Sequence, residues 1–184
     1  MNDNRQALRD AVQARHAKLD ALIYESSPVS SLENYATFLR CFLALQSRFE
    51  CSVISLEKEF GWSGREHRFI DLIGDDLDAL GHPFSAHEIK PVQKSELSDS
   101  RWGHAYALEG SALGGSFLLQ QITAARLVVP IRFLTQLTID AESRWPAFVS
   151  ALNREKIEMS LAVAGAYEVF DTAWNWISAE MERE

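Results

Sequence analysis

Apolar residues return every three or four positions through most of this chain, and no stretch sustains the apolar–polar alternation of a half-buried strand. Such spacing gathers apolar side chains onto one stripe of an α-helix, and the stripe must be buried against other helices. The expected fold is therefore all-α, a bundle-like arrangement of six or so helices. Over residues 5–24 the stripe is Leu8, Val12, His16, Leu19 and Ile23. Ser30 and Glu33 fit a capping box for a second helix through Tyr35, Phe38, Leu39, Phe42, Leu43 and Leu45 toward Val53 and Leu56. Gly61 and Gly64 bracket a break. A third helix is expected over 65–80, stopped by Gly81-His82-Pro83, with a connecting loop over 84–95. Helical spacing resumes near Ser98 and reaches Val129, before Pro130. Residues 131–140 are ambiguous, Pro146 is expected near the start of a further helix, and a last helix is expected over 157–181.

A chain of 184 residues, 47% of them hydrophobic, can bury a sizeable core and fits one domain over 1–184. Its formal net charge of −8 repels phosphate backbones and anionic lipid, so nucleic acid and membrane partners are not expected. Cys41 and Cys51 stand ten residues apart in one expected helix, about 15 Å along its axis, too far to bridge. Free thiols suit a reducing cytoplasm. The N-terminus is polar, and no apolar run approaches the roughly 20 residues of a membrane span. A cytoplasmic location follows as an expectation.

Two features bear on chemistry. His16 sits on an apolar helical stripe, so its imidazole is expected to point inward, where each ring nitrogen needs a partner. A buried carboxylate or carbonyl would serve, and so would a metal ion. Gly110, Gly114 and Gly115 interrupt what otherwise reads as one long helix, at about 1 kcal/mol each relative to alanine. Gly110 and Gly114 share a face. A face without side chains admits another helix, a bend, or a flat ligand. His67, His82, His87 and His104 lack metal-ligand spacing, and a surface position suits His104 as well as one near a site. Asp75-Asp76 are expected to face solvent. Phe170 and Trp174, four apart, are read as core or as the wall of an aromatic pocket.

The run from Tyr106 through Gly110, Ser111, Leu113, Gly114 and Gly115 to Phe117 resembles the distal-helix motif of the haem oxygenase family. The closer likeness is to the bacterial branch that includes iron-acquisition enzymes and bacteriophytochrome-associated enzymes. Arg9 and His16 are similar to that family's proximal helix, and 78–83, 145–152 and 166–174 also fit. The resemblance implies haem sandwiched between a proximal and a distal helix, with His16 on the iron. Arg9, Tyr106, Gly110, Gly114, Gly115, Phe117 and Phe170 would contact the haem, and Gly110, Ser111 and Gly114 would serve catalysis. It implies cleavage of haem, at once substrate and cofactor, at a meso carbon to biliverdin, CO and ferrous iron. Dioxygen and an external reductant, such as a ferredoxin or a flavin reductase, would be consumed. A biliverdin-accepting photoreceptor is a candidate partner. The alternative is a haem-binding or storage protein of the same fold without turnover. Ser111 stands where mammalian-type enzymes carry an aspartate, and Gln120 and Gln121 where the iron-acquiring member carries lysines. Arg9, Lys18 and Arg126 are candidate propionate partners by charge.

Overall fold

The computed structural model describes residues 3–62, 67–83 and 99–182. Within them the chain forms α1 (Asn4–Ser26), α2 (Leu32–Phe60), α3 (Phe69–Ala79), α4 (Ser100–Ala125), α5 (Arg132–Arg154) and α6 (Met159–Met181), and no strand. The all-α expectation is borne out. The loop expected over 84–95 lies outside the described residues, as does His87.

Helix ends depart from expectation where local chemistry overrides spacing. The cap of α2 is Ser31, which accepts from the Asn34 N–H, one residue beyond the Ser30–Glu33 box. Glu33 instead pairs with Arg40 and His82. α2 ends at Gly61, whose φ of 72° places it in the left-handed region that glycine enters without penalty. α3 begins at Phe69, not 65, and its chain turns away at Gly81, φ 75°. α4 stops at Ala125, with Arg126 left-handed, rather than running to Val129.

α5 corrects two expectations. The ambiguous segment 131–140 is its N-terminal half, and Pro146 lies inside it instead of near its start. A proline there forgoes one backbone hydrogen bond, at about 3 kcal/mol. Burial of Phe133, Leu134, Leu137, Phe148, Ala151 and Leu152 along the same helix offsets that cost, and Pro146 itself faces solvent. Asp76 sets where α5 begins. Its carboxylate accepts from Phe133 N at 3.0 Å and Arg132 N at 3.4 Å. Asp76 is thus fully buried, against the expectation that it faces solvent, while Asp75 is exposed.

The largest packings are α4 on α6, α1 on α6 and α4 on α5. α4 and α6 cross with backbones in contact. A Cβ on Gly103 would fall on the Ala162 carbonyl oxygen and the Ala166 nitrogen, and one on Gly165 on the Ser100 carbonyl. One apolar cluster centres on Leu8, Phe49, Trp102, Leu108, Phe148 and Ala166, and a second on Tyr35, Leu39, Ile73, Ala112, Phe133 and Leu137. Helices α2, α4 and α5 supply both. Cys41 and Cys51 form no disulfide, and burial pushes the Cys41 thiol up to about 12. No helix among the described residues is long and apolar enough to cross a membrane.

Candidate functional site

His16 lies on α1, yet its side chain is 57% exposed, so the imidazole does not enter the core as its stripe suggested. Leu8 and Val12 are buried, while Leu19 and Ile23 are only partly so. The stripe therefore turns outward along the helix, and His16 sits at its margin. Nδ1 lies 2.8 Å from Oδ2 of Asp20, one turn on. Nε2 has no hydrogen-bond partner among the described residues. The ring meets Phe170 of α6 edge-on, centroids 5.7 Å apart. Next to it, Arg15 pairs with Asp171 and lies over the Tyr167 ring, while Tyr167 donates to the Ala11 carbonyl at 2.9 Å. These contacts fix α1 against α6 around the histidine.

On α4, Tyr106, Gly110, Leu113, Gly114 and Phe117 share a face by their spacing. Tyr106 is half-buried against Trp145, centroids 5.7 Å apart. Burial raises its phenol above the ordinary range, against the opposing charges of Arg5 and Arg9 and with that of Asp10. Arg9 and Tyr106 are thereby brought to one neighbourhood. A Cβ on Gly110 would meet the Trp145 ring edge at 3.5 Å, ordinary contact, whereas one on Gly114 would meet nothing within 4 Å. Leu113 and Phe117 beside it are 55% and 63% exposed. At Gly114 the face is open backbone flanked by the uncovered apolar side chains of Leu113 and Phe117.

Gly115 does not belong to that face. It is buried, and a Cβ there would stand 3.0 Å from Thr138 Oγ1, so its small size serves α4–α5 packing. Ser111 donates from Oγ to the Leu108 carbonyl at 2.6 Å, within its own helix. Phe170 is 7% exposed and Trp174 is partly open. Arg126 caps the C-terminus of α4. α1 and α4 both pack on α6 but are not among the extensively packed pairs themselves.

Two residues carry more than their spacing indicated. His104, read as surface or near-site, is 1% exposed and joins three helices. Its Nδ1 lies 2.9 Å from Ser52 Oγ of α2, and its Nε2 3.1 Å from Glu168 Oε2 of α6. Arg144 is buried against Glu109 and Glu57. Nothing in the sequence pattern singles out either, because their partners are distant in the chain. Among the described residues no three His, Cys, Asp or Glu side chains gather to hold a metal ion.

No protein-family model matches the chain. Among curated proteins it is 28% identical over 165 residues to the heme oxygenase PigA of Pseudomonas aeruginosa, spanning 85% of this chain and 82% of that protein. It is also 28% identical over 125 residues to a heme oxygenase of Xanthomonas campestris pv. campestris, spanning 65% of this chain and 72% of that one. The structure of the NO- and CO-bound heme oxygenase of Neisseria meningitidis superposes with a TM-score of 0.71 at 25% identity, covering 96% of this chain and 91% of that one. The resemblance drawn from the α4 motif thus holds across most of the chain, in sequence and in its all-helical fold.

Proposed function

We propose that this protein is a haem oxygenase, cleaving haem at a meso carbon to biliverdin, carbon monoxide and ferrous iron with dioxygen and external electrons. The observation that carries the reading is the state of His16. Its Nδ1 is committed to Asp20, its Nε2 has no partner among the described residues, and the side chain is more than half exposed. A metal-bound imidazole wants this arrangement, since a carboxylate on the far nitrogen fixes the tautomer and strengthens the ligand. Nε2 is the atom assigned to the iron.

Bound haem supplies the iron that takes up and activates dioxygen. The protein supplies seating and surroundings. The open backbone at Gly114 would leave room beside a bound ring that any larger side chain would fill, while Gly110 borders the Trp145 ring. Leu113, Phe117 and Trp174 offer exposed apolar surface that would exclude water from a macrocycle, with Phe170 buried behind His16. Tyr106 keeps its phenolic proton and, with Arg9 as the nearby cation, would donate a hydrogen bond to a propionate carboxylate. Ser111 keeps its hydroxyl proton on the Leu108 carbonyl, so Oγ is oriented to accept from a water. Gly115 packs on α5, so any part it takes in seating haem would be through its backbone.

Electrons come from a separate carrier, a ferredoxin or flavin reductase, and biliverdin passes to an acceptor such as a photoreceptor. A cytoplasmic location supplies both. The reading of the chain as one domain is supported by α2, α4 and α5, which contribute to both apolar clusters.

The test is direct. Purified protein is given haem, reductant and oxygen. The Soret band should bleach as a long-wavelength biliverdin band grows. A stable Soret band through repeated reduction would make it a haem carrier instead. His16→Ala should abolish the native ferric spectrum, and an unchanged spectrum would remove His16 from the iron.

A further inference from the structure

Glu109 immediately precedes Gly110, and Arg144 immediately precedes Trp145, the residue whose ring borders Gly110. Both charged residues are buried, Arg144 at 2% and Glu109 at 4% exposure. Arg144 donates from Nε to Glu109 Oε2 at 3.2 Å and from its terminal nitrogen to Oε1 at 2.6 Å. Glu57 of α2 pairs with the same guanidinium. Burial works against the charge on Arg144, but the two carboxylates outweigh it and hold the guanidinium above its ordinary range.

A buried ion network of this kind is weak evidence for stability, since apolar residues of similar volume often serve as well. Its geometry is specific, however. A guanidinium gripping both oxygens of one carboxylate fixes direction as well as distance. Successive residues on an α-helix are about 100° apart. Clamping Glu109 toward α5 therefore fixes the rotation of α4 about its own axis, and with it the direction in which Gly110 and Gly114 present their backbone. Trp145 closes the same turn from the α5 side.

We propose that Glu109 and Arg144 are positioning residues of the haem site: by holding the rotational setting of α4 they decide how the substrate is seated and so which meso carbon is cut. This rests on the haem oxygenase reading. It assigns Glu109 and Arg144 no contact with haem, and their effect runs through the backbone of α4.

The experiment compares wild type with Glu109→Gln, Arg144→Lys and the apolar double variant Glu109→Leu/Arg144→Met. Haem affinity is measured by Soret titration, haem seating by the pattern of haem methyl resonances in the ferric complex, and products by separation of biliverdin isomers. Because His16 is untouched, haem should still bind through it with the native ferric spectrum. The methyl pattern should change, and the isomer ratio should shift by about fivefold or more. A folded variant with the wild-type methyl pattern and isomer ratio would overturn the proposal, whatever its melting temperature. Failure of all three to fold would also overturn it, because the network would then be required for the fold itself. If wild type binds haem without oxidising it, the oxygenase reading fails while the methyl pattern still tests the setting of α4.

Discussion

The Nδ1 of His16 lies 2.8 Å from Oδ2 of Asp20, one helical turn further along α1. Both side chains are more than half exposed, so the pair contributes little to folding as a surface ion pair. Its consequence is for ligation. Asp20→Ala should leave the melting temperature nearly unchanged and weaken haem binding by about 10–100-fold, the usual effect of removing the carboxylate behind a ligating imidazole. Soret titration checks this, and wild-type affinity in the variant would disconnect Asp20 from the site.

The glycines of α4 divide by what faces them. Gly114 meets nothing, so Gly114→Ala should stabilise the unliganded helix by up to about 1 kcal/mol. Gly114→Leu should fold but sharply slow oxygenation. Gly103→Ala must push apart two backbones and should cost about 3 kcal/mol or more. Thermal melts and single-turnover assays separate the two classes, and equal behaviour of Gly103 and Gly114 would contradict the packing described.

His104 gives a pH dependence of stability. Burial lowers its imidazole below the ordinary range, against the pull of the Glu168 hydrogen bond and charge and with the repulsion of Arg48; Ser52 is its other partner. As pH falls below about 6.5 the unfolded chain takes up this proton before the folded one does. Stability should therefore fall with pH, by at most about 1.4 kcal/mol per unit from this group, until the lowered folded value is reached. Denaturant melts between pH 7.5 and 5 should show that slope, reduced in His104→Gln. An equal slope in the variant would assign it to other groups.

Asp76 caps α5 from 57 residues away, through Phe133 N. Asp76→Ala should cost about 1–2 kcal/mol, as for other helix caps. Asp76→Asn, which keeps one acceptor, should recover part of it. Hydrogen exchange at Arg132 and Phe133 reports the loss locally, and unaltered protection there would show that the cap is held by other contacts.

Spacing of apolar residues was enough to determine the class of fold and roughly where five of the six helices lie, because a helix imposes its period on its own sequence. The α4 motif and the likeness it carries were also legible, since both are contiguous. Tertiary structure alone decided which way each stripe faced. His16 shares a stripe with buried Leu8 yet stands in the open, because what covers a residue is set by neighbouring helices and not by its own. Gly114 and Gly115 are adjacent in the chain and opposite in role for the same reason. The partners of Asp76, His104 and Arg144 lie 57, 52 and 35 residues away. Helical period carries no information over such separations; only the packing of one helix on another brings those atoms within reach.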